Sequence, residues 1–146
     1  MSINTIKVFE DTARRSRTNF SDNSSISHFS ESTIRKELKS ELFLVQLIEF
    51  EEETKQINHF ATYADGIGPW YKQILDKKEK GKWKFTSLVK DAHALGLKVH
   101  PYTFRADQLE EFSSFEEMMQ VLFFEANIDG GFTDFPDKMV AFLAKK

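Results

Sequence analysis

The stretch LKVHPYTFRAD, from Leu97 to Asp107, has the pattern of a strand that ends in polar groups. Side chains alternate along an extended chain, so one face of this strand carries Lys98, His100 and Tyr102. Pro101 has no N–H to donate to a ladder, so strand pairing should end near it. The stretch therefore predicts a strand whose C-terminal end presents His100 and Tyr102, which is where parallel α/β sheets carry their sites.

Short apolar runs alternate with amphipathic stretches on both sides of this strand, a rhythm that predicts an α/β fold with a parallel sheet. The run from Leu42 to Ile48 is nearly continuous in apolar residues, as expected for a strand covered on both faces, and Gln46 is its only polar interruption. ADGIGPW (64–70) predicts a very short strand and a turn. TSLVKDAHALG (86–96) predicts a helix that Thr86 caps and Gly96 ends.

The C-terminal third predicts two more helices around a short strand. SSFEEMMQVLFFEAN (113–127) has apolar residues at helical spacing, and Ser113 with Glu116 has the spacing of a capping box. IDGGFTDF (128–135) predicts a turn and a short strand, and Pro136 opens a last helix. About five strands result, each followed by a helix, which is too few for a closed eight-stranded barrel of roughly 250 residues.

Composition limits the functions that the chain can have. A length of 146 residues suits one domain, and 40% apolar residues are enough for a core. The net charge of −3 argues against a nucleic-acid partner, and the basic cluster KKEKGKWK (77–84) is predicted to be a solvated loop between helices, without function. Cysteine is absent, which excludes disulfides and thiolate metal sites. No signal peptide or membrane span is evident, so we expect a soluble, cytoplasmic protein.

Candidate chemistry gathers at the predicted strand ends, in His100, Tyr102, Arg105, Thr133 and Asp134. From the residues alone, a structural role for each is as plausible as a binding role. Of the four histidines only His100 has a site-like position, and His93 is expected to be a surface or packing residue. Four aspartates could in principle bind a cation: Asp65, Asp129, Asp134 and Asp137. Turn or cap contexts already explain three of the four.

Four motifs in register carry a resemblance: LVQLI, YADGIGP, VHPYTFRAD and DGGFTDFPDK. In order and spacing they resemble the C-terminal portion of the glycerophosphodiester phosphodiesterase family, most closely its bacterial exported branch, over residues 30–145. The resemblance implies a partial TIM barrel, about strands four to eight with their helices, in which the N-terminal strands are missing. Residues 26–146 would be this part of the barrel, and residues 1–25 a poorly ordered or foreign segment.

The resemblance also implies a reaction and a binding wall. Family members hydrolyse glycerophosphodiesters to glycerol 3-phosphate and an alcohol with a divalent metal, calcium or magnesium. Carried over by position, the substrate-binding residues would be His100, Tyr102 and Arg105 on the seventh strand, Phe132 and Asp134 on the eighth, and an inward-pointing Gln46 on the fifth.

The family's catalytic His-Arg-Gly motif, its second histidine and its metal-binding acids have no counterpart that we recognise here, and Ser27 stands where the family has a glutamine. No catalytic residue and no metal ligand are therefore assigned, and the chain alone is predicted to be inactive. Complete homologues are commonly periplasmic or exported.

Three readings follow from this. The chain is the C-terminal part of an enzyme, with a complementing N-terminal half as its partner. Alternatively it is a non-catalytic interaction module that associates, with itself or another chain, through open sheet edges, since unpaired strand edges invite pairing. The third reading is a decaying gene product without function.

Overall fold

The computed structural model describes residue 39 and residues 41–145. Their centre is a parallel three-stranded sheet in the order β1 (Val45–Ile48), β2 (Gly66–Pro69) and β5 (Lys98–Val99). The strands predicted around residues 42–48, 64–70 and 97–102 are thus confirmed, although each is shorter than its motif. The α/β class is confirmed as well, and the described residues form no closed barrel. Predictions about residues 1–38 lie outside this part of the chain.

Helical segments connect the strands and follow the last of them. The α-helices are α1 (Ile57–Phe60), α2 (Leu88–Ala94), α3 (Phe115–Gln120) and α4 (Pro136–Ala144). A 3-10 helix at Glu51–Gln56 leads directly into α1. The long amphipathic helix predicted at 113–127 is α3, continued by one π-helical segment, Val121–Glu125. None of the helices in the described ranges is both long and apolar enough to cross a bilayer.

One face of the sheet, which we call the helix face, carries Ile48, Ile67 and Val99, all of them fully buried. These residues share the main core with apolar side chains of the helices, including Met118 and Leu122. Burying an aliphatic side chain of this size stabilises a fold by about 1.5 to 3 kcal/mol, so this core accounts for most of the packing. The sheet and the helices therefore form two layers.

The segment predicted as a last strand lies beside the chain that follows β5. Phe104 forms an isolated parallel bridge with Thr133, its N–H donates to the carbonyl of Phe132 at 2.8 Å, and the Phe132 N–H donates to the carbonyl of Pro101 at 2.9 Å. A Cβ on Gly131 would lie 2.1 Å from the Phe104 ring. Only glycine allows the backbone to come this close, so Gly131 is required for the contact.

The prediction that KKEKGKWK is a solvated loop is wrong. These residues belong to an antiparallel hairpin of β3 (Leu75–Glu79) and β4 (Lys82–Phe85). Its two-residue turn, Lys80 and Gly81, has φ values of 50° and 78°, as in the type I′ turns that match the twist of a hairpin. The strand alternation was missed because Trp83 and Phe85 are the two apolar residues of β4, and the other two residues of this short strand are lysines.

Two predicted helix caps are also wrong. The Thr86 hydroxyl donates to the carbonyl of Gln73 at 2.8 Å instead of capping α2. The capping residue of α3 is Ser114, whose hydroxyl accepts from the Glu117 N–H at 3.0 Å, while the Glu117 carboxylate accepts from the Ser113 N–H at 2.7 Å. The serine half of a capping box is formed one residue later than the sequence spacing indicated, whereas the Glu117 carboxylate bonds to Ser113, the residue before the cap, and not to the N–H of Ser114.

Candidate functional site

The second face of the sheet, which we call the glycine face, carries Val45 and Leu47 of β1 and Gly66 and Gly68 of β2. A Cβ on Gly68 would lie 2.8 Å from Leu47 Cδ2 and 3.2 Å from Val45 Cγ1. Both side chains therefore occupy the space over β2 that a larger residue would fill. From the sequence these glycines were interpreted as marking a very short strand and a turn, and Gly-x-Gly at the strand period of two is also a signal for close packing over a strand.

His100 extends the glycine face beyond β5. Its side chain is buried, with 3% of the residue exposed, and its main-chain N–H donates to the carbonyl of Ile67 at 2.9 Å. The imidazole ring contacts the Phe43 ring edge-on at a centroid distance of 5.9 Å. Burial lowers the pKa of His100 to about 4, although the nearby Asp129 carboxylate raises it. The imidazole is therefore neutral at pH 7, and it is a wall group with ordinary hydrogen-bonding capacity rather than a fixed positive charge.

Tyr102 joins the ends of two strands. Its hydroxyl donates to the carbonyl of Ile48 at 2.7 Å, so the side chain reaches from the end of β5 to the end of β1. Its ring packs against a small cluster whose buried members are Val45 and Phe132. Of the predicted binding residues, Tyr102 and Phe132 thus lie together on the glycine face, where they form an apolar wall.

Arg105 lies at the exposed edge of this wall. Its guanidinium donates to both carboxylate oxygens of Asp107, at 3.0 and 2.8 Å. The hydrogen bond with Asp107 raises the pKa of Arg105, and the negative charge of Asp134 raises it further. The same bond lowers the pKa of Asp107. The structure therefore brings Arg105 and Asp134 into electrostatic range, with Asp107, which the sequence analysis did not single out, as the direct partner of the arginine.

Gln46 does not point inward, and that prediction is wrong. Side chains alternate along β1, so Gln46 shares the helix face with Ile48. Its Oε1 accepts a hydrogen bond from the hydroxyl of Tyr63, which is buried in the main core, and its Nε2 donates to the Leu47 carbonyl at 3.0 Å. Gln46 was misplaced because a motif indicates the position of a residue along a strand but not the face of the strand on which its side chain lies.

His93 and Asp129 form a pair that the sequence analysis did not connect. His93 Nε2 lies 2.7 Å from Asp129 Oδ2, and the same oxygen accepts from the Val99 N–H at 2.8 Å. Burial raises the pKa of Asp129, but the hydrogen bonds from His93 and Val99 outweigh it and hold that pKa below its usual value. The pair fastens α2 and the last segment to β5, in keeping with the packing role expected of His93.

The acidic side chains of the described residues do not fit a divalent metal. Across residues 41–145 and residue 39, no three histidine, aspartate or glutamate side chains converge. Asp65 accepts from the Leu44 N–H at 2.9 Å, and Asp129 is bonded to His93 and Val99. A site for calcium or magnesium needs several carboxylate oxygens around one point, and these residues do not supply it.

Comparison with known proteins gives one family. Residues 4–138 match the model of the glycerophosphoryl diester phosphodiesterase family, a span that starts inside the segment predicted to be foreign, so the division at residue 25 stays a prediction. The chain is 40% identical over 84 residues to a glycerophosphodiester phosphodiesterase of Haemophilus influenzae, covering 56% of this chain and 23% of the relative. It is 31% identical over 88 residues to one of Treponema pallidum, covering 58% of this chain and 25% of that relative.

The matched region thus spans about a quarter of the length of these curated relatives. Family members have the TIM-barrel fold and generally use a divalent metal, and the parallel sheet of this chain is consistent with part of such a barrel. Since the family match covers most of the chain, the chain belongs to the glycerophosphoryl diester phosphodiesterase family.

Proposed function

We propose that this chain forms the C-terminal wall of a glycerophosphodiester phosphodiesterase barrel, about strands four to eight, and that an N-terminal half completes it. The complete enzyme would hydrolyse glycerophosphodiesters to glycerol 3-phosphate and an alcohol. The main support for this proposal is that Tyr102 and Phe132 pack together on one face of parallel strands, in a chain that matches the family over residues 4–138.

The order of the strands supports this assignment. β1, β2 and β5 lie side by side in the sheet in the order in which they occur along the chain, with the hairpin of β3 and β4 inserted between β2 and β5. The bridge of Phe104 with Thr133 adds the next segment at the far side of β5. Consecutive parallel strands with helices between them are the repeating unit of a (β/α) barrel. In that unit the side chains at the C-terminal ends of the strands line the substrate cleft, which is where Tyr102 lies.

The residues of this wall would bind and orient the substrate. A phosphodiester is anionic, so its hydrolysis needs a cation that offsets developing charge, together with a proton donor and a proton acceptor. Arg105 is a permanent positive charge near the wall, while Tyr102 and Phe132 would exclude water from one side. When bound, a calcium or magnesium ion would supply the charge compensation, and the residues that hold it would belong to the complementing half.

Activity measurements test this proposal. The purified chain with calcium and glycerophosphocholine should release no glycerol 3-phosphate. Mixed with the N-terminal portion of the Haemophilus influenzae relative, it should give turnover. Appreciable turnover by the chain alone would refute the predicted inactivity, and a mixture that neither associates nor turns over would refute the complementation.

A matched pair of variants tests the wall. Arg105→Gln in the active mixture should raise KM about ten-fold, because glutamine cannot form the charge-assisted hydrogen bond that a guanidinium makes with a phosphate oxygen. Lys90→Gln removes the same charge from the exposed surface of α2 and should leave KM unchanged. Equal effects of the two substitutions would mean that net charge, not the wall, sets substrate affinity.

The alternative is a non-catalytic interaction module. The observation that favours it is that, within residues 41–145, the cluster on the glycine face has two buried members, Val45 and Phe132, and is much smaller than the main core. Such a face is more readily covered by another chain than left in water. Association of the mixture, or of the chain with itself, without any turnover would favour this alternative.

A further inference from the structure

The hairpin of β3 and β4 concentrates positive charge. Residues 77–84 include five lysines and one glutamate, whereas the whole chain has a net charge of −3, so the remainder is strongly acidic. We call this segment, residues 75–85, the lysine hairpin. Such a separation of charge favours contact of one small region with an anionic surface.

The inner side of the lysine hairpin packs on the domain. Trp83 pairs with Lys78 across the hairpin, and the centroid of its ring lies 5.5 Å from that of the Phe112 ring. Lys78 Nζ lies 5.5 Å from the centroid of the Trp83 ring. The same nitrogen lies 3.8 Å from the Glu117 carboxylate. Leu75 is also buried. These contacts fix the orientation of the hairpin relative to the rest of the structure.

Because side chains alternate along strands, the outer side then carries Lys77 with Lys84 and Glu79 with Lys82, as directly opposed pairs. Like charges that face each other across a hairpin are destabilising. Glu79 offsets only part of this charge, through an ion pair with Lys77 at 2.6 Å. Lys80, Lys82 and Lys84 are exposed and form no ion pair within the described part of the chain.

The turn adds a further lysine, Lys80, at a position whose backbone conformation favours other residue types. Lys80 has φ of 50°, a left-handed conformation that glycine and asparagine adopt at lower cost. The outer side of the hairpin and its tip therefore carry four lysines and one glutamate: Lys77, Lys80, Lys82, Lys84 and Glu79. Its charges are a local cost that an anionic partner would offset.

We infer that the lysine hairpin binds the surface of anionic phospholipid bilayers. Lysine is a point charge on a flexible stem and suits a diffuse layer of headgroups, whereas the planar fork of arginine, absent from residues 75–85, suits bidentate recognition of single phosphates. Trp83, the ring that base stacking would require, is turned toward Phe112. These features favour a bilayer over nucleic acid. The inference goes beyond the proposed function and does not depend on it.

Sedimentation with vesicles tests the inference. The full chain should bind vesicles of phosphatidylcholine with about 30% phosphatidylserine and should not bind vesicles of phosphatidylcholine alone. Binding should weaken strongly when salt rises from about 0.05 M to about 0.5 M, because the Debye length falls several-fold. Absence of binding at low salt, or equal binding to both kinds of vesicle, would overturn the inference.

Matched variants separate the hairpin from net charge. The triple variant Lys80→Gln, Lys82→Gln and Lys84→Gln should bind anionic vesicles about 100-fold more weakly, from about five-fold per lysine. The control carries Lys90→Gln, Lys138→Gln and Lys145→Gln, which remove three exposed charges elsewhere, and should stay within about two-fold of the unaltered chain. Equal losses in the two variants would overturn the inference, as would tighter binding of duplex DNA than of anionic vesicles at the same salt.

Discussion

The two faces of the parallel sheet differ in how they are stabilised. On the helix face Ile48, Ile67 and Val99 are fully buried in the main core of the chain. On the glycine face the cluster has, among the described residues, two buried members, Val45 and Phe132, with partly buried neighbours, and the buried His100 lies nearby. The helix face therefore holds the fold together, whereas the glycine face retains polar and glycine positions that stability alone would not select.

Truncation of neighbouring residues on β1 should give the largest contrast between the faces. Ile48→Ala removes a fully buried side chain from the main core and should lower the free energy of unfolding by about 3 to 4 kcal/mol, since a cavity remains. Leu47→Ala on the glycine face should cost about 1 kcal/mol, because the side chain is only partly buried over Gly68.

Urea unfolding followed by circular dichroism measures both values, with the m-value as a check on two-state behaviour. The two substitutions are matched, because leucine and isoleucine lose the same number of carbons in the same strand. Equal destabilisation would show that the glycine face is as firmly packed as the helix face, and the comparison would fail.

Lowering the pH should lower the free energy of unfolding through His100, the buried histidine beside the glycine face. The pKa of His100 is lowered from 6.5 to about 4 in the folded state by burial. Between these values the unfolded chain binds more protons, so stability falls as the pH falls through 6.5 and the loss is complete near 4. From about pH 7.5 to about pH 5 the contribution of His100 should be a loss of about 2 kcal/mol.

The pH dependence of unfolding in His100→Gln, compared with that of the unaltered chain, isolates this contribution, because glutamine does not titrate. His93→Gln is the control for a histidine that is partly exposed and paired with Asp129. If His100→Gln retained the full acid sensitivity between pH 7 and 5, the buried histidine would not be its source.

The sequence predicted those parts of the fold whose pattern is set by burial. A nearly continuous apolar run identified β1 and helical spacing identified α2 and α3, because periodicity reflects which side chains enter the core, while Pro136 marked the start of α4. The lysine hairpin was missed because its strands are mostly exposed, so that composition and not periodicity dominated the pattern.

The positions of the candidate residues near the strand ends were predictable, but the face of the strand on which each side chain lies was not. His100, Tyr102 and Phe132 lie on or near the glycine face, whereas Gln46 lies on the other side of β1, and the substrate-binding roles of these residues stay predictions. A shift of one residue reverses the face of a strand, and a motif does not encode that parity. Asp107 was missed because its role depends on a bend that brings it to Arg105.

Removing single hydroxyl groups should give the smallest contrast. Tyr102→Phe leaves the main-chain carbonyl of Ile48 without its 2.7 Å donor on the glycine-face side, and should cost about 1 kcal/mol. Tyr63→Phe on the helix face removes the donor to Gln46 Oε1, a side-chain atom that can rotate to another donor, and should cost about 0.5 kcal/mol. Thermal unfolding of both variants at pH 7.5 or so measures the difference, since the rings and their packing are kept. A larger loss for Tyr63→Phe would mean that the link between the ends of β1 and β5 contributes little, and that the glycine face gains its order from the chain around it rather than from Tyr102.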